Sequence, residues 1–352
     1  MLLDSKNILI HIPSLRAGGG NRLMIRLANY LAVRNRVTIF TTKIEKKDIK
    51  YEISQNIKIE EYKSFVFLSI MFYVKRFEMK IISDPISTLL NIIFRDRSIV
   101  RFVQADEYNL YNHHPKMNCI TKLIFKTLII HSYRYFNLIF NSTFSFESCS
   151  KYLKSSSLKN TVVNPGIELD QFKPTVSYQE RTSAVTFYLV KIKSKGYLDC
   201  IDLINQILQS ETQVSQINII TQDDSFAFTD KRVKIFQPKS DEEISDILNQ
   251  SKVFISCSWS EGFGLTQLEA MACGNCLLSI DNGGISEYGT NGINCKVYQR
   301  DEFKNILKDL NSLLNNNCLG ELISNCATKT AQKFSMNKFL NAFEKELLNF
   351  NA

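Results

Sequence analysis

Two glutamates eight residues apart mark the part of this 352-residue chain whose residue types best suit chemistry. Glu261 leads into Gly262, Phe263 and Gly264. Thr266 then opens an apolar-periodic stretch that carries Glu269 about one turn further on. Glycines let backbone N–H groups approach a ligand closely, and a helix beginning at Thr266 would turn its positive dipole end toward an anion such as a diphosphate. A carboxylate beside that anion can accept hydrogen bonds from sugar hydroxyls. The bare spacing is common, and either Glu taken alone reads as a solvated surface acid.

Other residues invite a chemical reading. Gly18-Gly19-Gly20 follows an apolar run and precedes a helical pattern, which suits either a phosphate-facing loop or a plain strand-to-helix turn. It is not G-x-G-x-x-G. The next strand ends in Thr41-Thr42-Lys43 without a ribose-binding acid, which argues against a dinucleotide site, and no Gly-Lys-Ser/Thr follows to make a P-loop. Cys273-Gly274-Asn275-Cys276 allows a redox or zinc reading, but there is no second pair at zinc spacing, and residues of a helix-to-strand junction are the plainer one. His113-His114 could supply ligands or an acceptor-side base, or be ordinary loop histidines. Trp259, the only tryptophan, could shape a sugar pocket or simply pack.

The elements that must carry these residues follow an α/β pattern. Asn7–Ile12 reads as a buried strand, Asn21–Val33 as a helix and Arg36–Thr42 as a second strand, a unit that implies a parallel sheet. Strands are expected at Ser98–Gln104 and Asn137–Asn141. Between them the helix Ile120–Tyr135 groups Leu123, Ile124, Leu128 and His131, with Lys122, Lys126 and Arg134 elsewhere. That helix suits either an anionic membrane surface or a core contact with a charged outer face. The stretch Tyr62–Phe94 is apolar, with Lys75, Arg76 and Lys80 interspersed, and its elements are ambiguous. Turn residues from Asn164 to Pro174 place a boundary near 165. A second alternation follows, with strands at Ala184–Val190, Gln216–Thr221, Val253–Ser256 and Cys276–Ile280. Its helices are expected at Leu198–Gln209, Asp241–Gln250 and Thr266–Ala272, with a surface helix at Asp301–Leu314, a loop at Asn315–Asn317 and a closing helix at Ser335–Asn349. The expected domains are therefore 1–165 and 166–334, with 335–352 as a C-terminal helix returning toward the first.

Composition narrows the classes. Hydrophobic residues are 44% and charged residues 22%, which excludes wholesale disorder. Nine cysteines cannot all pair, so reduced thiols in a cytoplasmic compartment are expected. Met1-Leu2-Leu3 runs into Asp4 and Lys6 without the pattern of an export signal, and the longest apolar runs, such as Phe65–Val74, are about half of the ~20 residues a membrane span needs. Residues 1–180 hold 26 Lys and Arg against 15 Asp and Glu, and the rest 17 against 20, so the first half is the basic one. Charge alone does not make a nucleic-acid binder without a helix-turn-helix, zinc or aromatic-platform signal.

The stretch Ser258–Val297 resembles the signature of the retaining, nucleotide-sugar-dependent glycosyltransferases of the GT-B fold, the glycosyltransferase family 4 group. It supplies Glu261, Gly262, Phe263, Gly264, Glu269, Ala270, Met271, Ala272 and Gly274, then Gly283, Gly284, Glu287, Asn291 and Gly292. Gly18–Arg22, Phe102–Glu107, Asn141–Thr143 and Asn164–Pro174 resemble further parts of that family in the right order, so the likeness covers nearly the whole chain and is loosest from Tyr51 to Ile99. The fold it implies is two Rossmann-like α/β domains facing each other across a cleft. The activity it implies is metal-independent transfer of a hexose-type sugar from a nucleoside diphosphate sugar, with no resident cofactor. An epimerase or phosphorylase of the same architecture, or an inactive binding subunit, are the alternatives.

Residue by residue, the resemblance gives Glu269 to the ribose hydroxyls, and the backbone of Gly264, Leu265 and Thr266 to the diphosphate. It gives Lys195 and Lys191 to the departing charge, and Glu261 to the transferred sugar, though not as a nucleophile. Gly19, Gly20 and Asp106 are acceptor-side candidates, Gly20 bordering the donor as well. The family usually has Arg where Lys191 stands, with Lys193 a rival, and Lys meets phosphate as a point charge rather than a fork. The acceptor expected is a saccharide on a polyprenyl diphosphate lipid at an anionic cytoplasmic leaflet, in cell-surface polysaccharide assembly. The expected location is the cytoplasm, peripheral on the inner face of the membrane.

Overall fold

The computed structural model describes residues 3–15, 18–42, 51–62, 77–85, 87, 96–108, 117–153, 158–302 and 305–351. The chain forms two compact units, Met1–Pro165 with Asn337–Ala352, and Gly166–Met336. Each is built on a parallel sheet with helices packed against it.

The sheet of the first unit has seven strands in the order β3-β2-β1-β4-β5-β6-β7. They are β1 (Asn7–His11), β2 (Arg36–Thr41), β3 (Lys58–Glu61), β4 (Met79–Ile82), β5 (Ile99–Val103), β6 (Asn137–Phe140) and β7 (Asn160–Val162). Described helices of this unit are α1 (Gly19–Ala32), α2 (Cys119–Tyr135) and α3 (Thr143–Ser150). Strands β1, β4 and β5 are covered on both faces, so they read as nearly unbroken apolar runs. β3 lies at the sheet edge, where Lys58 and Glu61 are exposed and Ile59 and Glu60 are partly buried. Lys80 sits inside buried β4 because Asp96 and Ser98 take its ammonium.

On α2 the core contact is not made by the apolar grouping of its first half. Ile129, Ser132 and Tyr133 are the buried residues. Leu123 and Ile124, expected on the same face as Leu128, are 66% and 52% exposed, and Ile120 is 72% exposed. The apolar stripe of the N-terminal half therefore points to solvent, because the residues that fill the core lie one to three turns further on.

The second unit has six strands in the order β10-β9-β8-β11-β12-β13. They are β8 (Thr182–Tyr188), β9 (Gln216–Ile220), β10 (Val233–Phe236), β11 (Ser251–Ser256), β12 (Cys276–Ile280) and β13 (Cys295–Tyr298). The helices are α4 (Tyr197–Gln209), α5 (Asp241–Gln250), α6 (Leu265–Ala272), α7 (Ile306–Asn315) and α8 (Asn317–Ala331). Ser240 caps α5, accepting from the Glu243 amide, ahead of three acids in the first turn that complement the dipole. Two apolar clusters cover the two faces of this sheet, one around Phe187, Ile204 and Leu310, the other around Phe254, Met271 and Ala327. Asn316, read as loop, caps α8 by accepting from the Leu319 amide.

A last helix, α9 (Met336–Asn351), packs with the first unit from Asn337 onward. Phe339 and Phe343 meet Phe102 with ring centroids 6.1 and 5.1 Å apart. Glu344, nearly fully buried, accepts from Arg34 Nη2 at 2.8 and 3.0 Å, from Tyr30 Oη at 2.8 Å and from the Leu3 amide at 3.0 Å. A carboxylate so supplied with donors ties α9 to α1 and to the start of β1.

Candidate active site

Strand order locates the chemistry. In open parallel sheets a crevice forms at the carboxyl ends of the strands where the winding direction reverses. In the second unit that reversal falls between β8 and β11, which pair in parallel. The loop after β8 carries Lys191, Lys193 and Lys195, and the loop after β11 carries Trp259 and Glu261. The ends of two neighbouring strands thus bring together residues 66 positions apart in sequence.

Lys195 Nζ donates to Glu261 Oε2 at 2.6 Å, and Ser258 Oγ donates to Glu261 Oε1 at 2.8 Å. Both members of the pair remain partly exposed. The loops themselves are fastened backbone to backbone. Trp259 N donates to Ser194 O at 2.9 Å, Glu261 N to Asn282 O at 3.0 Å and Gly284 N to Glu261 O at 3.1 Å. Close approach explains two glycines. A Cβ on Gly196, which has φ +64°, would stand 1.8 Å from Cys257 O, and one on Gly284 would stand 2.7 Å from Phe263 N and Cα.

Gly264, with φ +91°, precedes the first residue of α6. The helix starts at Leu265 rather than Thr266, one residue earlier than the sequence suggests. Its first amides, Leu265 and Thr266 among them, have no carbonyl behind them in the helix to pair with, which is the usual condition of an anion-accepting helix start. The turn is braced from below. Tyr288 Oη lies 2.9 Å from both Gly264 O and Gln267 Oε1, and Gln267 Nε2 donates to Ser256 Oγ at 2.6 Å. Burial, with the charge of Glu261 adding to it, pushes the Tyr288 hydroxyl far above its usual range, so it stays a neutral donor. Glu269 lies one turn into α6 and is 2% exposed.

Lys191 does not join this group. It is exposed at the start of its loop, with Nζ 3.4 Å from Ser225 Oγ, and Lys193 is exposed in the short turn Lys193–Lys195. Cys273 and Cys276 are buried, with Cys273 Sγ 3.7 Å from Ser245 Oγ and Cys276 donating to Gly320 O. Burial pushes both thiols up to about 12, away from thiolate chemistry. All nine cysteines are free. His113 and His114 lie outside the described residues.

In the first unit the winding reverses between β1 and β4. Gly19 opens α1 beside this edge, and a Cβ on Gly20 would come 2.6 Å from Gln104 Oε1. Asp106 is buried just beyond β5. The same edge holds a cluster that sequence reasoning missed. His11, the last residue of β1 and fully buried, has Nδ1 2.8 Å from Asp84 Oδ2 and Nε2 2.9 Å from Tyr62 Oη. Ser87 Oγ donates to Asp84 Oδ2 at 2.5 Å, and its amide to Asp84 Oδ1 at 3.0 Å. The available signal was a histidine closing an apolar strand and an Asp-Pro closing another.

Burial alone would raise the Asp84 carboxyl. The hydrogen bond and charge of His11, with the two bonds from Ser87, outweigh it and hold the group at about 2. A depressed pKa gives stability that is complete above about pH 4, the ordinary carboxyl value, and is lost as pH falls through about 2. Asp84→Asn is therefore expected to flatten the acid limb of stability between about pH 4 and pH 2, followed by denaturant melts at each pH. An acid limb identical to that of the wild type would show that this pair contributes nothing.

Comparison with known proteins agrees with this architecture. Residues 226–333 match the family model for Glycosyl transferases group 1. Over 113 residues the chain is 24% identical to an uncharacterized glycosyltransferase of Methanocaldococcus jannaschii, a match covering 32% of this chain and 32% of that relative, so about a third of either length is compared. Among solved structures, the sucrose-phosphate synthase of Thermosynechococcus elongatus superposes with a TM-score of 0.80 at 15% identity, covering 98% of each chain. HepE of Anabaena, in complex with UDP-glucose, superposes with a TM-score of 0.76 at 18% identity, covering 98% of this chain and 99% of its own. The fold is GT-B, with two Rossmann-like units of parallel sheet and flanking helices. The match to the Glycosyl transferases group 1 model lies within the second of those units.

Proposed function

We propose that this chain transfers a sugar from a nucleoside diphosphate sugar to a saccharide acceptor with retention of anomeric configuration. The observation that carries the proposal is the Lys195–Glu261 pair at the β8/β11 reversal, next to the glycine-opened start of α6. The ammonium of Lys195 neutralises charge on the departing diphosphate, while the α6 amides of Leu265 and Thr266 hold its oxygens. Glu261, already bound by Lys195 and Ser258, meets the transferred sugar through its carboxylate and does not attack it. The departing phosphate then receives the proton of the acceptor hydroxyl, which attacks from the same face. Glu269 takes the ribose hydroxyls. The HepE complex with UDP-glucose supports the donor class as a property of a similar fold. Lys191 stands where a second cation of the family falls, and its exposed position leaves it free to swing onto the ligand.

The test is a melting panel with UDP, GDP, dTDP, ADP, CMP and NAD, with and without EDTA. A diphosphate present at a hundredfold its dissociation constant stabilises the fold by ~2.7 kcal/mol. A shift with one nucleoside diphosphate, indifferent to EDTA and lost in Glu269→Ala, is the expected result. A shift that survives Glu269→Ala would remove that residue from the ribose site. Well-folded protein that responds to no diphosphate would overturn the reading.

The acceptor is proposed to be lipid-linked and reached at an anionic membrane surface in cell-surface polysaccharide assembly. Ile120, Leu123 and Ile124 stand outward on α2, with Lys122 and Lys126 on the same two turns. Apolar side chains flanked by lysines suit the headgroup boundary of an anionic leaflet. No described helix is long and apolar enough to cross a membrane. Replacing Lys122 and Lys126 by Gln and Leu123 by Ser is expected to weaken sedimentation with phosphatidylglycerol vesicles about tenfold or more, at ~1 kcal/mol per basic residue near the surface. Undiminished sedimentation would exclude this helix as the contact.

A further inference from the structure

We infer that Trp259, held by Asp199 and Arg300, is a positioning residue that sets the Lys195–Glu261 pair, an inference that rests on the sugar-transfer reading above. Trp259 brackets Lys195 on both sides. Its backbone amide donates to Ser194 O at 2.9 Å, immediately before Lys195, and its indole Nε1 donates to Asp199 Oδ2, four residues after it. Glu261 follows two residues on. One residue, through its amide and its indole, therefore fastens the turn that presents the cation to the loop that presents the carboxylate.

The ring is held from its face as well. Arg300, two residues beyond the end of β13, places its guanidinium carbon 3.5 Å from the ring centroid. Trp259 itself is only half-buried and belongs to neither apolar cluster of the second unit, so core packing does not account for its orientation. Asp199 and Arg300 also line a hollow of about 220 Å³ together with Leu203 and Ile280. Displacing reacting groups by about 1 Å can cost a hundredfold in rate, which makes the orientation of this ring matter to the chemistry.

Trp259→Phe keeps a ring for Arg300 and removes the N–H donor. Asp199→Ala removes the acceptor, and Asp199→Asn keeps an oxygen in its place. Trp259→Phe and Asp199→Ala are each expected to lower kcat roughly tenfold or more, with KM for the donor changed less than about twofold. Asp199→Asn is expected to recover most of the loss. The double variant Trp259→Phe/Asp199→Ala is expected to be no worse than the poorer single one, since both break one bond. Rate is read as release of nucleoside diphosphate from the sugar donor that the melting panel selects. Because Trp259 is the only tryptophan, its emission in Asp199→Ala reports directly on the freed indole and is expected to shift to longer wavelength.

Wild-type protein that neither responds to UDP or another diphosphate in melting or emission nor releases diphosphate from a donor would overturn the sugar-transfer reading, and this inference with it. A wild type that binds and turns over, matched in kcat by Trp259→Phe and Asp199→Ala, would overturn the positioning role alone. Loss of melting temperature in step with kcat, without recovery in Asp199→Asn, would reduce the contact to general stability and overturn the role equally.

Discussion

Lys195→Ala is expected to lower the rate of sugar transfer about a hundredfold to a thousandfold while leaving the fold intact. That range is typical when one preorganised group that stabilises transition-state charge is removed from an enzyme site. The side chain of Lys195 is more than a third exposed and its ammonium bonds Glu261, so its loss opens no core cavity. Melting temperature should move by no more than about 1–2 °C, since surface changes of this kind stay within about 0.5 kcal/mol. Lys195→Arg keeps the charge and should recover part of the rate, limited by the different reach of a planar fork. A Lys195→Ala enzyme within tenfold of wild type would show that the leaving diphosphate is neutralised elsewhere, and would turn attention to Lys191 or Lys193.

The second large effect concerns a residue without a side chain. Gly196→Ala is expected to destabilise the second unit by about 3 kcal/mol or more, a fall in melting temperature of roughly 6–12 °C for a unit of this size. The left-handed backbone at φ +64° would cost an alanine about 1–2 kcal/mol by itself. The rest comes from Cys257 O, which lies 1.8 Å from the ideal Cβ position and cannot yield without moving β11 from the loop after β8. Gly292 separates the two contributions, because it has φ +77° with nothing within 4 Å of an added Cβ. Gly292→Ala should therefore show only the conformational part. Equal losses in the two variants, measured by thermal melts, would mean that the Cys257 contact is readily relieved.

The second unit was the more legible of the two. β8, β11 and β12 are buried on both faces, so their apolar runs stood out, and the likeness of Glu261–Glu287 to the family signature drew attention to the loop after β11 and the start of α6. What escaped were elements whose logic is tertiary. β3 is an edge strand of Lys-Ile-Glu-Glu, β4 hides a lysine whose partners Asp96 and Ser98 come from the turn before β5, and β10 is only partly buried. α8 begins at an Asn-Asn-Asn run that reads as loop until Asn316 is seen capping it. Whether the apolar stripe of α2 faced a core or a surface was open in the sequence, because hydrophobic periodicity tells that a face exists and not that a core lies against it.

The site was legible in its parts and not in its arrangement. Three lysines within five residues look alike in sequence, and only the pairing of β8 with β11 singles out the one that reaches Glu261. The bond from Trp259 to Asp199 and the His11–Asp84 contact each join residues at least sixty positions apart, a distance over which local pattern carries no information.

The return of α9 to the first unit has a consequence for the order in which the molecule is made. Phe339 and Glu344 emerge from the ribosome only after the whole of Gly166–Met336. At about 5–20 residues per second, the first unit waits roughly 10–35 s with Phe102 uncovered and with Tyr30 and Arg34 lacking their carboxylate. The second unit, continuous in sequence, has no such wait. The nascent chain thus completes its later-encoded half first, and the earlier half is the one whose apolar surface stays open longest and that a truncation before α9 leaves incomplete.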